Sequence, residues 1–376
     1  MIPFNKPYIT GKEVHYIYDA VATGKISGNG KYTKLCQEFM EQTWGFKKVL
    51  LTTSCTDALE MAAMLLDIKP GDEVIVPSYT FVSTALAFVR QGAHIVFADS
   101  RPDCPGIDES KIEALITPKT KAIVPVHYAG VACDMDVIMD IANRYNLWVV
   151  EDAAQCIDSF YKGRALGSIG HLGCFSFHET KNLQCGEGGA LAINDDRFIK
   201  RSEIIWEKGT NRAEFFRGEV NKYGWVDIGS SFLPSEIVAA FLWAQLENYK
   251  DIQQKRIHLW SNYYNRLSPI VGKCNLRLPI IPDFASNNAH MFYLVCGSLQ
   301  ERTHLLGGLK EQGILSVFHY LALHRSDFYK NKSENILLPN CDRFADCLFR
   351  LPLYFEMTEA DTEVVCSAIN NVCCSG

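Results

Sequence analysis

The chain has 376 residues, which is long enough for two domains of unequal size. Apolar residues make up 48% and charged residues 21% of it, as in ordinary globular proteins, and this argues against extended disorder and fibrous repeats. The net charge of −6 lacks the basic surplus of nucleic-acid-binding proteins, so we expect small-molecule chemistry and no nucleic-acid partner.

The amino-terminal segment and the apolar runs bear on where the protein resides. Lys6, Lys12 and Glu13 precede any long apolar run, so we predict no signal peptide. No stretch reaches the roughly 18 consecutive apolar residues of a membrane helix, and we therefore predict a cytoplasmic protein with no membrane partner. The 14 cysteines form no CxxC pair and no Cys/His cluster of zinc-like spacing, so we expect neither a metal site nor disulfides.

Short apolar runs alternate with amphipathic segments from Lys48 onward. KVLLTT, DEVIVPS and AHIVFADS are predicted strands, separated by the predicted helices SCTDALEMAAMLLDI and TFVSTALAFVRQG. The alternation continues with TKAIVPVHYAG, the helix MDVIMDIANRYN and the strand LWVVEDAA. Nearly continuous apolar strands are typical of parallel sheets buried on both faces, so we predict an α/β fold with a doubly wound, mainly parallel sheet.

The fold class also predicts where a ligand binds and where the domains divide. Ligands of open α/β sheets bind at the carboxyl ends of the strands, which here are residues 52–56, 77–81, 127–130 and 152–155. A helical pattern at 233–249 leads into a charged stretch that suits a connection between domains. We therefore predict a large α/β domain at 1–248 and a small α+β domain at 249–376.

A single lysine, Lys181, follows a short aromatic strand in CFSFHETKNLQCGEGGALAI. A lone lysine is usually a solvated surface charge, and Gly186, Gly188 and Gly189 alone would indicate only a tight turn. The functional interpretation rests on pairing Lys181 with Asp152, at the end of a predicted strand. An enzyme that uses pyridoxal 5'-phosphate needs an amine for the aldehyde and a carboxylate that keeps the pyridine nitrogen protonated. Asp152 considered alone is equally well explained as the cap of the next turn.

Other residues suit the same chemistry less specifically. The backbone amides and hydroxyl of residues 54–56, at a predicted helix amino terminus, favour a phosphate, and Ser176 would add a hydroxyl. Phe81 would stack on a cofactor ring, although most such phenylalanines belong to the core. GxGxxG after a strand and GxxxxGK[ST] are both absent from the sequence, which argues against a dinucleotide or ATP site.

Three further polar residues lie near these motifs. Glu151 is predicted to point away from Asp152, because side chains alternate along a strand. His178, three residues before Lys181, is a candidate for proton transfer. His127 is predicted to be mainly structural or part of the substrate pocket, since a hydrogen-bonded structural histidine is the more common case.

Nine segments occur in a recognisable order along the chain. They are IPFNKP at the start, ISGNG at 26–30, SCTDAL at 54–59, GDEVIVPSYTFVSTA at 71–85, VPVHYAGVACDMD at 124–136, VEDAAQ at 150–155, SFHETKN at 176–182, GEGGA at 186–190 and LPLY at 351–354. In this order and spacing they resemble the DegT/DnrJ/EryC1/StrS family of sugar-nucleotide aminotransferases over nearly the whole chain. GEGG alone would prove nothing.

The resemblance implies a pyridoxal phosphate enzyme of fold type I, with a seven-stranded sheet, that forms a homodimer with active sites at the subunit interface. Carried over to matching positions, Lys181 is the residue that binds the cofactor covalently and Asp152 the partner of the pyridine nitrogen. Gln155 would neighbour the ring hydroxyl and Phe81 would stack on the ring. The phosphate would be bound by Cys55, Thr56 and Ser176.

One segment departs from the family pattern. Where members commonly read GYNYRM, with the asparagine reaching the phosphate of the neighbouring subunit, this chain reads IGSSFL, so Ser231 replaces the asparagine. The shorter side chain leaves that contact an open question. Lys181, in contrast, is retained, which distinguishes the chain from family dehydratases that have histidine there.

The resemblance also implies the reactants. The sequence looks most like the members that transfer an amino group from glutamate to dTDP-4-keto-6-deoxyglucose. The products would be 2-oxoglutarate and dTDP-4-amino-4,6-dideoxygalactose, for surface polysaccharides such as enterobacterial common antigen. His319, Tyr320 and His324 are expected at the nucleotide pocket. A 3-keto or UDP-linked sugar substrate stays open as an alternative, as does a catalytically silent regulator that binds pyridoxal phosphate.

Overall fold

The computed structural model of the chain describes residues 1–330 and 336–374. The strands are β1 (Lys48–Thr52), β2 (Glu73–Pro77), β3 (His94–Ala98), β4 (Thr120–Ile123), β5 (Trp148–Asp152), β6 (Phe160–Tyr161), β7 (Arg164–Ala165), β8 (Leu172–Ser176), β9 (Gly189–Ile193), β10 (Leu276–Arg277), β11 (Phe292–Cys296), β12 (Val317–Phe318) and β13 (Leu348–Leu351).

The helices are α1 (Glu13–Ala22), α2 (Lys31–Trp44), α3 (Cys55–Leu65), α4 (Val82–Val89), α5 (Glu109–Ile112), α6 (Met135–Tyr145), α7 (Asp196–Trp206), α8 (Arg212–Phe216), α9 (Glu236–Leu246), α10 (Tyr249–Leu267), α11 (Leu299–Glu311), α12 (Pro339–Cys347) and α13 (Glu359–Cys374). Several begin at a capping side chain that accepts a backbone N–H: Ser54, Asp134, Asp195, Ser235 and Ser298. Within the described residues, no helix combines the length and apolarity needed to cross a membrane.

Seven strands form the large sheet of the described chain, in the order β1-β9-β8-β5-β4-β2-β3. β2, β3, β4, β5 and β8 are parallel, whereas β9 runs antiparallel to both of its neighbours, β1 and β8. The carboxyl ends of β1, β2, β5 and β8 therefore meet at one edge of the sheet, together with the amino end of β9. This confirms the predicted mainly parallel, seven-stranded α/β architecture.

The alternation of apolar side chains along the strands divides the interior between the two sheet faces. Val49 and Leu51 pack on one side with residues of α2, α6 and α9. Leu50, between them, packs on the other side with α3, α4, α7 and α10. The strands can be apolar on both faces because helices cover both.

A second sheet of four strands, in the order β10-β11-β13-β12, follows the 19-residue helix α10. Phe292 and Leu294 of β11 and Phe349 and Leu351 of β13 are buried in the same apolar cluster as Leu50. The small sheet thus packs on the core beneath the large one and is placed beside the ends of β2 and β5. The domain division at residues 248 and 249 stays a prediction.

Candidate active site

A cavity of about 850 Å³ lies at the edge of the large sheet where the strand ends meet. Ten of the residues singled out in the sequence line it: Cys55, Thr56, Phe81, Asp152, Gln155, Ser176, His178, Lys181, His319 and Tyr320. They come from the ends of β1, β2, β5 and β8 and from two later loops, so the topology brings together segments that are far apart in the chain.

Gly189, in the GEGG motif, allows the turn after β1 to lie against β9. A Cβ atom added at Gly189 would lie 2.5 Å from the backbone nitrogen of Cys55 and would also collide with the carbonyl group of Ser54. Since these are backbone atoms, no rotamer change relieves the contact. The glycine is therefore required for this close approach, and Gly186, with φ of +78°, forms the preceding turn.

The turn that Gly189 supports is the start of α3. Ser54 caps the helix by accepting the N–H of Asp57 at 3.1 Å, and the first intrahelical bond runs from Ala58 to the Ser54 carbonyl. The amides of Cys55 and Thr56 precede that bond, so they belong to the donors that a helix leaves unused at its amino end. The hydroxyl of Thr56 lies 2.8 Å from that of Ser83, which also lines the cavity. This end of the cavity suits a phosphate.

Asp152, the last residue of β5, is buried and held by two hydrogen bonds. Its Oδ2 accepts the hydroxyl of Thr84 at 2.6 Å, and its Oδ1 accepts the backbone N–H of Ala154 at 3.1 Å. Burial raises the pKa of Asp152, and the two hydrogen bonds and the positive charge of Lys181 offset this only in part. The carboxylate thus both caps the next turn and lines the cavity, so the two interpretations of Asp152 are compatible.

Glu151 points to the opposite side of β5, as predicted, and does not line the cavity. Its carboxylate accepts the backbone N–H groups of Gly167 at 2.8 Å and Ile169 at 2.7 Å. It also accepts the N–H of His127 Nε2, at 2.9 Å. His127 Nδ1 in turn accepts the N–H of Cys133, so the hydrogen of the ring is on Nε2. His127 is therefore structural here.

Gln155 is oriented so that its amide nitrogen faces the cavity. Its Oε1 accepts the backbone N–H of Ala129 at 2.5 Å, which leaves Nε2 as the group that donates to the hydroxyl of Tyr320 at 3.1 Å. Ala129 and Tyr320 both have positive φ, of 58° and 50°. A donor fixed in this way suits a phenolate or ring hydroxyl in the cavity.

Lys181 lies in the loop between β8 and β9, and the next residue anchors that loop. Asn182 donates from Nδ2 to Gln253 Oε1 and to the Asn288 carbonyl, both at 2.8 Å, and its Oδ1 lies 2.9 Å from His290 Nδ1. Burial lowers the pKa of Lys181, and the nearby carboxylate of Asp152 opposes this only in part. The amine is thus neutral at a lower pH than in a surface lysine.

These features fit pyridoxal phosphate. Lys181 offers an amine of lowered pKa and Asp152 a buried carboxylate in the same cavity. Phe81 is 54% exposed, so a face of its ring is available for stacking. The start of α3 offers backbone amides for the phosphate. The lining of the cavity thus combines an amine, a carboxylate, an aromatic ring and backbone amides that suit a phosphate.

Two predicted residues lie outside the cavity. Ser231 is exposed, in an isolated bridge with Glu207. His324 is buried, and its Nδ1 lies 2.7 Å from the hydroxyl of Ser78. His178 does line the cavity, but its side chain is 40% exposed and its Nδ1 lies 2.9 Å from the hydroxyl of Thr180. The roles of these three residues stay predictions.

The cavity also contains residues that the sequence did not suggest, notably His290 and Arg350. Both amide hydrogens of Asn182 are used elsewhere, so His290 Nδ1 must donate to Asn182 Oδ1, and His290 Nε2 is an acceptor. Burial lowers the pKa of His290 well below its usual range, which keeps the ring neutral. Only the position of Arg350 beside the recognisable LPLY segment could have drawn attention to that residue.

The sequence profile of the DegT/DnrJ/EryC1/StrS aminotransferase family matches residues 7–370. A structure of the aminotransferase from Psychrobacter cryohalolentis is similar, with a TM-score of 0.93 and 26% identity over 99% of both chains.

Structures of two other proteins are also similar. The putative sugar aminotransferase Spr1654 from Streptococcus pneumoniae, in its PMP form, matches with a TM-score of 0.92 and 26% identity over all of both chains. The same protein has also been solved in a PLP form. DesV from S. venezuelae, in complex with a ketimine intermediate, has a TM-score of 0.90 and 28% identity over 99% of this chain and 98% of its own.

Proposed function

The chain belongs to the DegT/DnrJ/EryC1/StrS aminotransferase family, and from this membership we propose that it transfers an amino group from glutamate to dTDP-4-keto-6-deoxyglucose. It is a sugar aminotransferase that depends on pyridoxal phosphate. The observation that carries the proposal is the presence of Lys181 and Asp152 in one cavity with an anion-binding helix terminus. The product would be dTDP-4-amino-4,6-dideoxygalactose, for surface polysaccharide synthesis in the cytoplasm.

The protein's own residues divide the chemistry between them. When bound, pyridoxal phosphate supplies an aldehyde that condenses with amines and a ring that withdraws electrons from the adjacent carbon. Lys181 Nζ would hold the cofactor at rest. Once released, Nζ would accept a proton from the α-carbon of glutamate and later deliver one to the sugar carbon that gains nitrogen. Its lowered pKa serves this role, because only the neutral amine is a base.

Asp152 would remain an anion opposite Lys181 and keep a proton on the ring nitrogen of the cofactor. The hydrogen bond from Thr84 fixes the direction of one carboxylate oxygen of Asp152, Oδ2. Gln155 would donate to the ring hydroxyl, Phe81 would cover one face of the ring, and the phosphate would bind to Cys55, Thr56 and Ser176. A cavity of about 850 Å³ lies towards the upper end of the range for small-molecule sites, which supports a sugar ring beside the cofactor.

The proposal includes a homodimer with the active site at the subunit interface. Phe81 and Val82, at the cavity, are 54% and 48% exposed, and Trp225 is 84% exposed. Contiguous exposed apolar patches commonly mark sites of protein interaction, and Phe81 and Val82 are adjacent at the cavity. Ser231, on the same segment as Trp225, would then face the partner's phosphate site. The nucleotide would extend from the cavity past His319 and Tyr320.

The attachment of the cofactor tests the first half of the proposal. We expect borohydride reduction of the protein loaded with pyridoxal phosphate to label Lys181 alone, as shown by peptide mapping. Lys181→Met is the matched control and should take up no label. A label on another lysine would reject Lys181 as the attachment site.

A panel of keto-sugars tests the second half. With glutamate as donor, we expect turnover of dTDP-4-keto-6-deoxyglucose to exceed that of 3-keto and UDP-linked sugars, with an axial amine at C4 of the product. A 3-keto or UDP-linked sugar that reacted faster would replace the proposed substrate. A protein that binds the cofactor but turns over no sugar in the panel would contradict the proposal as a whole.

A further inference from the structure

His290 is a buried polar residue whose backbone is held by hydrogen bonds on both sides. It lies just before β11 and is only 7% exposed. Its N–H donates to Asn288 Oδ1 at 3.0 Å, and its carbonyl accepts a hydrogen of Arg256 Nη2 at 2.7 Å. The imidazole nevertheless lines the cavity that contains Lys181. A residue held in this way keeps its ring at the cavity.

The two nitrogens of this imidazole have different roles. Nδ1 carries the hydrogen, because it donates to Oδ1 of Asn182, so Nε2 has only a lone pair. Burial and the positive charges of Lys181, Arg256 and Arg350 lower the pKa of His290 well below its usual range, so Nε2 stays unprotonated at neutral pH. Within residues 1–330 and 336–374, no hydrogen bond reaches Nε2, and this atom is not enclosed by the core. His290 therefore offers an unused acceptor to the cavity.

The chemistry of Nε2 restricts what it can bind. An unprotonated imidazole nitrogen binds only a group that donates a hydrogen, which excludes an ionised carboxylate or phosphate. Of the charged groups around His290, Lys181 has the largest effect on its pKa. For His319, a second buried imidazole of the cavity, Arg350 has a larger effect than Lys181, and Nδ1 lies 2.6 Å from the hydroxyl of Tyr128. This difference favours Lys181 as the donor to His290.

Lys181 Nζ is a donor that needs such an acceptor. In the part of the chain that the structure describes, Nζ has no hydrogen bond, although an amine keeps N–H groups in both of its protonation states. Asn182, which follows Lys181 directly, is bound by Nδ1 of the same imidazole at 2.9 Å. The side chain of a lysine is flexible, so a free amine can take many positions in a cavity. A hydrogen bond to the ring that anchors the loop would restrict it to one.

We propose that His290 is a positioning residue, whose Nε2 accepts a hydrogen bond from Lys181 Nζ when that amine is free of the cofactor and so holds it where it acts as the base. The inference rests on the proposed function, because it concerns the base of the transamination. Lys181 alone moves the proton, and the neutral imidazole neither gains nor loses one. One ring thus fixes the loop through Nδ1 and the amine through Nε2.

His290→Asn separates the roles of the two nitrogens, because it keeps an amide N–H near the position of Nδ1 and removes the acceptor at Nε2. In single-turnover measurements with glutamate and with dTDP-4-keto-6-deoxyglucose, we expect the saturating rates of both half-reactions to fall about 10- to 100-fold. Both fall because Lys181 acts in both. The half-saturating concentrations should change by less than about 3-fold, since His290 binds neither substrate.

His171→Asn is the matched control. His171 is a half-buried histidine that does not line the cavity. Its Nδ1 accepts the N–H of Val149 at 2.9 Å, a bond that an asparagine oxygen can replace. We expect this variant to leave both half-reactions unchanged.

The reactivity of Lys181 in cofactor-free protein supplies a readout that does not depend on turnover. Acetic anhydride modifies only the neutral amine, so the pH dependence of labelling, followed by peptide mapping, measures the pKa of Lys181. A bond to Nε2 favours the ammonium form, so the pKa of Lys181 should be lower in His290→Asn than in the wild type and unchanged in His171→Asn. A lower pKa increases the neutral fraction, so slower turnover in His290→Asn would reflect a misplaced amine and not a protonated one.

Should His290→Asn fail to fold, nitrogen NMR of histidine-labelled, cofactor-free protein decides. The comparison is then between the wild type and Lys181→Met, which keeps His290. An accepted hydrogen bond changes the resonance of an unprotonated imidazole nitrogen, so the Nε2 resonance of His290 should shift in Lys181→Met. Identical Nε2 resonances in the two proteins would reject the contact.

Three outcomes would overturn the assignment. Unchanged rates in His290→Asn would reject the positioning role. Slower turnover with an unchanged pKa of Lys181 would make His290 structural, acting through Asn182 alone. A loss confined to one half-reaction, with a raised half-saturating concentration, would make His290 a binding residue for that substrate. If no keto-sugar reacts with the wild type, the proposed acceptor is wrong, while the labelling of Lys181 still decides whether Nε2 binds Nζ.

Discussion

Thr84, on α4, donates its hydroxyl at 2.6 Å to Oδ2 of Asp152, at the end of β5. Thr84 itself lies 2.9 Å from the hydroxyl of Thr80, and since its own hydrogen is directed to Asp152, Thr80 is the donor of that pair. Two successive hydrogen bonds, from Thr80 to Thr84 and from Thr84 to Asp152, thus end on the carboxylate that is proposed to face the ring nitrogen. Both threonines are buried, so water does not readily replace either of them.

Thr84→Val should lower kcat/KM about 10- to 100-fold, the usual worth of one hydrogen bond to a charged group. The bond lowers the pKa of Asp152, so its loss raises that pKa, and the fall of activity on the acid side should begin at a higher pH. A pH profile of kcat/KM measures both effects. Thr362→Val, at a buried threonine on α13, is the control. If the acid side of the pH profile does not shift in Thr84→Val, Thr84 does not position Asp152 in this way.

Gly189→Ala should weaken cofactor binding at least about 10-fold, because the added methyl group displaces the backbone that starts α3. Equilibrium dialysis of pyridoxal phosphate against cofactor-free protein measures the dissociation constant directly. Gly307→Ala is a suitable control, since a Cβ there meets no atom within 4 Å and helix α11 tolerates alanine. Equal affinities of wild type and Gly189→Ala would contradict the steric argument.

Lys181→Met should stabilise the cofactor-free protein by about 1 kcal/mol at pH 7, since it removes a desolvated charge. The folded-state pKa of Lys181 is lowered, so the destabilisation is fully present below that pKa. It fades as pH rises towards 10.5, the value in the unfolded chain. The difference in urea unfolding free energy between variant and wild type should therefore be smaller at pH 10 than at pH 7. Lys119→Met, at an exposed lysine, should show no such trend.

Trp225→Ala should weaken the proposed homodimer about 30-fold, because a buried tryptophan at an interface commonly contributes 2 kcal/mol or more. The indole is fixed in place by its 2.7 Å bond from Nε1 to the Asp227 carbonyl, so little order is lost when a partner covers it. Sedimentation velocity over a range of concentrations gives the dissociation constant. Ile280→Ala, which removes another exposed apolar side chain, is the control. A wild-type monomer at micromolar concentration would contradict the dimer itself.

The sequence predicted the architecture because strand and helix periodicities are local. It did not indicate that β9 is antiparallel, since a short buried strand such as ALAI reads the same in either direction. Lys181 and Asp152 could be paired because Asp152 ends one strand and Lys181 follows another, and the carboxyl ends of both strands lie at the same sheet edge. Their chemical roles stay predictions.

Other parts of the cavity had no local signal. Thr84 and Asp152 are 68 positions apart, and nothing near Thr84 in the sequence marks it as a partner. His290 and Arg350 enter from loops and strands of the small sheet, whose packing against the large sheet depends on the whole core. Contacts of this kind are set by tertiary packing, which single-sequence patterns do not encode.

Glu151 and Asp152 are adjacent on β5, but their carboxylates lie on opposite sides of the strand. The contacts of both therefore depend on the register of β5 in the sheet. A shift of β5 by a single residue would turn Glu151 towards the cofactor and leave Asp152 too short to reach the backbone N–H groups of Gly167 and Ile169. The misaligned chain would lose a loop anchor and the proposed contact of Asp152 with the ring nitrogen in the same step. The anchoring of the loop at Gly167 and Ile169 and the proposed contact with the cofactor therefore depend on the same pair of positions.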